Sequence, residues 1–460
     1  MKKYLARIVF EAETPLHVGS GSSDLTLDAP VNCDANGLPQ INGTSLAGVI
    51  RSYFDEKNDK EFINRIFGFQ AKQGGAGSRL VVSNAHLIYE GGKVVEGLMT
   101  GDEITKSEYL KAMQAYALPL RDHCRINEKG TVSGTGKFDN CVLPKGVRFV
   151  CELELTENNE DLSADWEKLL QVVSSDTFRV GGKVRSGLGR LKVHECFSKT
   201  FDFQESDDVK EYLAHSSSFN KKPAWEKKKL QSDGKSDKYL CYTLEIQPED
   251  FFTFGSGYGD EIVDMTPKKE AFVDWSDESK PKLSDEKILV PASSIKGAIS
   301  HRTAFYYNKY AGHFAGKVSP EKVTGTNNEA VKTLFGYDKK AKGEEVAAGK
   351  VFFDDLILEE NVDEKIFQHV SIDRFTGGAM NGALFNEKVC ENRFEFKPIK
   401  IYVEKSAFDK EKDPDGNIKK AFERALDEIR TGMLPLGGST MRGHGCFKEK
   451  KKEEVGGNNE

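Results

Sequence analysis

The pattern of apolar and polar residues predicts a regular alternation of strands and helices. Apolar side chains alternate with polar ones over 3–14 and over 148–155, which is typical of half-buried strands. They recur at helical spacing over 166–173. The elements predicted for the first part of the chain are strand 3–14, helix 46–53, strand 80–87, strand 148–155, helix 166–173 and strand 191–193.

Four short motifs occur twice, in the same order, along the chain. Their paired positions are GSGxxDxxxD at 19–28 and 255–264, TSLAG at 44–48 and SSIKG at 293–297, IFGF at 66–69 and LFGY at 334–337, and GGxxxxGxG at 181–189 and 437–445. Conserved order with variable spacing is expected when insertions fall in surface loops. The chain is therefore predicted to contain two copies of one domain.

The duplication sets the predicted domain plan. The first domain covers 1–198 and the second 238–449. Between them, 199–237 is rich in Lys, Ser and Asp and has little periodicity, which predicts a linker. The charged end, 450–460, is predicted to be a disordered tail.

The order of elements also predicts the fold class. Strand, helix, strand, strand, helix, strand is the ferredoxin-like (RRM-like) arrangement. The Gly-, Thr- and Ser-rich stretch 129–140 predicts an exposed hairpin or loop, and 369–385 matches it in the second copy. We therefore predict an α+β fold of two tandem ferredoxin-like domains with inserted hairpins.

Composition narrows the class of protein. Of the 460 residues, 38% are hydrophobic and 30% charged, as in soluble globular proteins. The sequence shows no apolar run of membrane-spanning length and no signal peptide, so we expect a cytoplasmic protein without a membrane partner. The eight cysteines lack zinc-site spacing and are expected to be reduced. A net charge of −7 leaves nucleic-acid binding open, because local clustering of cations decides it.

The start of each predicted helix suits a phosphate. Thr44 or Ser45 is predicted to cap the first helix, where backbone amides and two hydroxyls together attract an anion. A purely structural cap explains the same residues and stays open. Lys183, Arg185 and Arg190 add positive charge in the first glycine loop.

Together these motifs resemble the RAMP superfamily of CRISPR systems, and more narrowly the type III effector subunits that assemble along a guide RNA as a backbone. The segments that carry the resemblance are 14–21 (TPLHVGSG), 27–31 (LDAPV), the helix starts 41–51 and 290–302, 372–377 (IDRFTG) and both glycine loops. They span nearly the whole chain apart from the linker and tail. The tandem form resembles the fused backbone subunits of subtype III-D.

The resemblance implies that helix starts, glycine loops and basic side chains bind guide-RNA phosphates without reading sequence. The residues carried over for RNA binding are Gly19, Ser20, Gly21, Thr44, Ser45, Arg51, Gly181, Gly182, Lys183, Arg185, Ser293, Ser294, Lys296, Gly437, Gly438 and Arg442. The implied partners are the CRISPR guide RNA, a complementary target RNA and other subunits of the effector complex.

The resemblance also implies cleavage of the target RNA by attack of a ribose 2′-hydroxyl on the adjacent phosphorus. Asp28 falls on the family's catalytic position, and Asp264 matches it by spacing; Asp24 and Asp260 are the alternates. A divalent cation, Mg²⁺ or Mn²⁺, is the expected cofactor of this endoribonuclease. Its ligands stay open, with Asp28 and Asp264 as candidates.

Some positions depart from the family pattern, so the two halves are expected to bind RNA differently. Ala47 stands where the family often has a lysine, which Lys296 keeps, and Thr253 stands at the position of His17.

Two other functions stay open. One is a purely structural RNA-binding subunit. The other is the related guide-RNA-processing endoribonuclease, which usually relies on a histidine; His17 is the candidate near the loops of the first half. A nucleotide-binding enzyme is disfavoured because GGxxxxGxG lacks the Lys-Ser/Thr of a P-loop.

Overall fold

The computed structural model describes residues 1–22, 29–54, 58–72, 74–127, 129–158, 160–230, 238–314, 316–337, 346–391 and 395–450. The strands up to residue 230 are β1 (Lys2–Ala12), β2 (Gln40–Ile41), β3 (Phe69–Gln70), β4 (Gly75–Ala76), β5 (Leu80–Val82), β6 (Ala85–Tyr89), β7 (Lys93–Val94), β8 (Leu120–Ile126), β9 (Val132–Cys141), β10 (Arg148–Glu157), β11 (Leu191–Asp202) and β12 (Glu226–Lys227). The helices there are α1 (Gly43–Ser52), α2 (Lys60–Phe67), α3 (Gly101–Lys106), α4 (Glu108–Met113), α5 (Ser163–Val173) and α6 (Ser206–Ala214).

The remaining strands belong to the second half of the chain. They are β13 (Tyr239–Leu244), β14 (Ile246–Pro248), β15 (Phe251–Phe252), β16 (Lys269–Glu270), β17 (Val273–Asp274), β18 (Lys282–Leu283), β19 (Lys287–Val290), β20 (Gly336–Tyr337), β21 (Ala347–Ala348), β22 (Val351–Phe353), β23 (Leu356–Ile357), β24 (Glu364–Ile372), β25 (Ala379–Glu391), β26 (Ile399–Glu404) and β27 (Phe447–Glu449). The helices are α7 (Ala292–Tyr310), α8 (Glu329–Phe335) and α9 (Asn417–Arg430). Among the described residues, no helix is both long enough and apolar enough to cross a bilayer.

The first half is built on one antiparallel sheet with β1 at its centre. β1 pairs with β10 on one side and β11 on the other, and the strand order is β12-β11-β1-β10-β6-β2. Tyr4, Ala6 and Ile8 of β1 face the main core, where Trp166 and Leu169 of α5 cover them. The alternation in the sequence thus marks the strand face beneath the helices.

The second half repeats the same strand pairings in shorter pieces. β13 pairs with β26 and β26 with β22, as β1 pairs with β10 and β10 with β5. β19 pairs with β23 as β2 pairs with β6, and β14 pairs with β27 as β1 pairs with β11. A separate core lies here, in which Phe422 and Leu426 of α9 pack with Ile295 and Ile299 of α7.

The segment predicted as a linker, 199–237, is folded in its described part. β11 continues to Asp202, α6 and β12 follow, and Phe201 and Trp225 pack on Leu5. Arg7 donates to backbone carbonyls of the same segment. Both faces of β1 are therefore covered. The sequence pattern missed this layer because its few aromatic anchors are widely spaced among polar residues.

Two antiparallel hairpins extend from the halves at matching places. β8 and β9 form the first and β24 and β25 the second. The predicted tail, 450–460, lies outside the described residues except for Lys450.

A buried ion-pair cluster joins the two halves. Arg121, at the base of the first hairpin, pairs with Glu270 at 2.5 Å and with Asp355, both of the second half. All three residues are less than one-tenth exposed. Buried charges of this kind need their partners, so the cluster fixes how the halves meet.

Candidate nucleic-acid interface

The GSG segments form the same loop in both halves. Gly19 bridges to Val31, and Gly255 bridges to Pro267. The matching hydrogen bonds are Ser20 N–H to Pro30 O at 3.1 Å and Ser256 N–H to Thr266 O at 2.9 Å. Gly19, Ser20 and Gly21 are exposed. Asp24 and Asp28, predicted as alternate and catalytic residues, lie outside the described residues.

Asp260 holds the second loop in shape. Its carboxylate pairs with Lys388 at 2.5 Å and accepts the backbone N–H groups of Ile262 and Val263. The hydrogen bond from Lys388, followed by those from the two N–H groups, lowers the pKa of Asp260 to about 2. These contacts are those of a turn residue.

Asp264 lies at the edge of the second hairpin. Its backbone N–H donates to the carbonyl of Asn386 at 3.1 Å, and its Oδ2 accepts the N–H of Asn386 at 2.8 Å. The residue is exposed. The loop thus presents a carboxylate to solvent while it is fixed to β25.

The helix starts are capped by residues distant in the sequence. α1 begins after Asn42 and α7 after Pro291, and neither side chain caps its helix. Instead Asn84 accepts the N–H of Gly43 at 2.9 Å, and Asp355 accepts the N–H of Ala292 at 2.8 Å.

The predicted capping role of Thr44 or Ser45 is therefore wrong. Both lie exposed in the first turn, as does Ser294, while Ser293 is half-buried. Arg51 lies in the last turn of α1, about 9 Å along the axis from Ser45, so the structure does not bring it to the helix start.

The two glycine loops dock in the same way on the segments that lead into the GSG loops. The matching hydrogen bonds are Gly182 N–H to His17 O at 2.7 Å, Gly438 N–H to Thr253 O at 2.8 Å, Gly189 N–H to Pro15 O at 2.8 Å and Gly445 N–H to Phe251 O at 2.8 Å. Gly181 and Gly437 have φ of 91° and 92°, and a Cβ on either would overlap the carbonyl oxygen beneath it. Glycine is required there both by conformation and by space.

Basic residues from both halves meet at the first glycine loop. A Cβ at Gly187 would overlap the side chains of Ala292 and Asp355, so this loop contacts the start of α7. Burial, followed by the charges of Arg185 and Lys183, lowers the pKa of Lys296. The three predicted phosphate-binding cations therefore cluster across the junction, which the sequence could not show.

A repeated side-chain stack within the two hairpins was not predicted from the sequence. His123 stacks on Phe138 with ring centres 4.9 Å apart, and His369 stacks on Phe385 at 4.8 Å. Each phenylalanine also lies under a glycine-loop cation. Those contacts are Lys183 Nζ at 4.2 Å from the Phe138 ring and Arg442 Cζ at 4.7 Å from the Phe385 ring. The signal in the sequence was the similar spacing between a histidine and a later phenylalanine in the two hairpin segments, His123 to Phe138 and His369 to Phe385.

His17, the histidine candidate for a guide-processing enzyme, is buried beneath the first glycine loop. Its Nδ1 lies 2.7 Å from the carbonyl oxygen of Cys141. This contact gives His17 a packing role.

The described residues do not offer a ready-made metal site. In the part of the chain that the structure describes, no group of three or more His, Cys, Asp or Glu side chains is arranged to hold a metal ion. Asp260 is committed to Lys388, and Asp264 has one oxygen on a backbone N–H. The surroundings of Asp264 therefore do not fit a cation held by protein ligands alone.

Comparison with known proteins identifies the family. The model of the RAMP superfamily matches residues 9–192 and 274–448. The chain belongs to the RAMP superfamily and carries two copies of its domain, which confirms the predicted duplication.

Similarity to individual proteins is low. The search of curated proteins found no match. Similar solved chains come from a type III-B Cmr-beta complex in the apo state and from one bound to cognate target RNA. Each is 17% identical to this chain, with a TM-score of 0.31. The match covers 41% of this chain and 96% of the solved chain.

Proposed function

We propose that the protein is a guide-RNA-binding backbone subunit of a type III CRISPR effector complex and that both halves cleave complementary target RNA. The observation that carries the proposal is the repeated docking of a glycine loop on the segment that leads into the GSG loop, in a chain of the RAMP superfamily. The first glycine loop also contacts the start of α7. The exposed residues around these contacts form the proposed RNA-binding surface.

The chemistry of that surface favours phosphates. Exposed backbone, helix-start hydroxyls and the cations Lys183, Arg185 and Lys296 bind a charged backbone without reading bases. A guide RNA of any sequence is therefore the proposed ligand, and its pairing with target RNA supplies the specificity. The other partners are further subunits of the complex, and the proposed location is the cytoplasm.

Cleavage is assigned to Asp28 in the first half and Asp264 in the second, with Asp24 and Asp260 as alternates. The exposed carboxylate of Asp264, fixed to β25 through Asn386, supports this assignment. The attacking group is the target's own 2′-hydroxyl, so the protein has to align it and accept its proton. Mg²⁺ or Mn²⁺ is the proposed cofactor and would relieve negative charge at the reacting phosphate.

A second candidate is a structural subunit without cleavage. The contacts of Asp260 and of Asp264 Oδ2 favour it, because both carboxylates hold the second loop in shape.

The test uses the assembled complex with its native RNA. Mass spectrometry and sequencing of the bound RNA are expected to find repeated CRISPR guides, and a complementary RNA is expected to be cut at sites assigned to the two halves. Bound guide without any cut supports the structural subunit. Absence of bound guide overturns both.

A further inference from the structure

A buried carboxylate lies where the second hairpin meets the second glycine loop. Glu387 of β25 is 1% exposed. It lies 2.7 Å from Nε2 of His369, accepts the hydroxyl of Ser439 at 2.8 Å, and lies 3.6 Å from Nη1 of Arg442. A carboxylate so fully desolvated fixes the groups bound to it.

His369 is held in one orientation by this carboxylate and by its ring contacts. When Nε2–H donates to Glu387, the neutral ring presents its lone pair at Nδ1. Among the described residues, no hydrogen-bond partner is found for this Nδ1. The side chain is 23% exposed, and Phe385 fixes the plane of its ring. The ring can therefore take a proton from a group that approaches from solvent.

The pair adjoins the loop assigned to cleavage. Asp264 N–H donates to the carbonyl of Asn386, and Lys388 N–H donates to the carbonyl of Met265 at 2.9 Å. Glu387 lies between these two strand residues, and Ser439 belongs to the phosphate-binding glycine loop. Loop, histidine and glycine loop thus meet around one carboxylate.

The first half lacks this carboxylate. His123 occupies the place of His369, but the residue two positions beyond its stacked phenylalanine is the neutral Asn140. Burial, followed by the charges of Arg121 and Lys183, lowers the pKa of His123. An imidazolium is therefore disfavoured at His123, and the ring of His123 has no buried carboxylate in the place of Glu387.

We propose that His369, positioned by Glu387, is the proton acceptor for RNA cleavage by the second half. The inference rests on the proposed function. Nδ1 takes the proton of the 2′-hydroxyl as its oxygen bonds to the adjacent phosphorus and the bond from phosphorus to the 5′ oxygen breaks. Solvent protonates the leaving 5′ oxygen, and the imidazolium returns its proton to solvent. The products are a 2′,3′-cyclic phosphate and a 5′-hydroxyl end.

Proton uptake by the ring makes the second-half cut depend on pH. The charged and titratable groups around the His369 ring are Glu387 of β25, and Arg442 and His444 of the second glycine loop. The His444 ring lies 5.6 Å from the ring of Phe367, the strand neighbour of His369. Because histidine ordinarily changes charge between about pH 5 and 8, the rate at the second site is expected to depend on pH over this range.

The test is single-turnover cleavage of a complementary RNA by the assembled complex, with both cuts followed across this pH range. His369→Gln is expected to slow the second-half cut roughly 100-fold and to flatten its pH profile. Glu387→Gln is expected to slow it less, because the ring of His369 remains but loses the charged carboxylate that orients it. Glu391→Gln is the matched control. Glu391 lies on the same strand as Glu387 and pairs with Lys365, so the change removes a carboxylate charge from β25 and leaves the contacts of His369 in place.

The first-half cut serves as an internal reference and is expected to stay constant in every variant. A parental rate and pH profile at the second site in His369→Gln overturns the inference. If His369→Gln loses its guide RNA, His369→Ala with added imidazole decides: restored cutting supports the inference and no restoration overturns it. A parent complex that binds guide but cuts nothing overturns the proposed cleavage function, and with it this inference, whereas a parent that cuts at both sites isolates the role of His369.

Discussion

Asp355 accepts the first backbone N–H of α7, at Ala292, with a distance of 2.8 Å. The same carboxylate pairs with Arg121 of the first half. The residue that caps a helix start in the second half therefore also joins the halves. The carboxylate of Asp355 thus links the position of the α7 start to the contact between the halves.

Replacing Arg121 by methionine is expected to destabilise the protein by about 3–5 kcal/mol, because Glu270 and Asp355 are left as buried carboxylates without their cation. Urea unfolding measures the loss. The control is Lys145→Met, which removes the partly exposed pair with Glu359 and is expected to cost about 0–1 kcal/mol. Equal effects of the two substitutions would contradict the role assigned to the junction.

Gly181→Ala and Gly437→Ala are expected to weaken guide-RNA retention, since a Cβ at either residue overlaps the carbonyl beneath it and lifts the loop away. The matched control is Gly48→Ala in α1, where a Cβ meets open space. There alanine is expected to stabilise the helix by about 1 kcal/mol. Retention of RNA after affinity purification is the measurement, and parental retention in both loop variants would show that the docked loops do not bind RNA.

The glycine loops show which features of the structure can be predicted from the sequence. Spacing alone located both glycine loops and both GSG loops, because each motif is local and repeated. It could not place Asn84 at the start of α1, Asp355 at the start of α7, or Lys296 beside Arg185, since these contacts depend on how distant segments pack.

The folded segment after residue 198 was missed for a related reason. Its core consists of a few aromatic side chains, such as Trp225, on a mostly polar background. Hydrophobic periodicity detects an amphipathic face and does not detect scattered anchors.

The paired substitution Lys183→Ala with Arg185→Ala is expected to reduce affinity for guide RNA of any sequence and to lower the salt-dependence slope by about 1.4, because two phosphate contacts are lost. Binding is measured across a salt titration. Lys227→Ala with Lys228→Ala is the control, because Lys227 of the edge strand β12 pairs with Glu195 and Lys228 pairs with Glu167 of α5. An unchanged slope in the loop variant would make the first glycine loop purely structural.

The pH dependence of stability tests the environment of His123. Burial, then the charges of Arg121 and Lys183, lowers the pKa of His123 in the folded state. The unfolded chain therefore binds the proton more readily, and this contribution to stability is present above the ordinary histidine value near 6.5 and is lost as the pH falls below it. His123→Gln is expected to flatten the decline of the urea midpoint between about pH 7 and 5. His301→Gln, on the exposed face of α7, is the control and is expected to keep the parental decline.

The most direct test of the central claim is to map the cuts in a complementary RNA made by complexes that carry Asp28→Ala or Asp264→Ala. We expect each substitution to remove a different cut and to leave target binding close to parental, because many phosphate contacts and base pairs hold the duplex while the carboxylate acts in the transition state. If both variants, and then Asp24→Ala and Asp260→Ala, keep every cut of the parent, the proposal of two RNA-cleaving halves is contradicted.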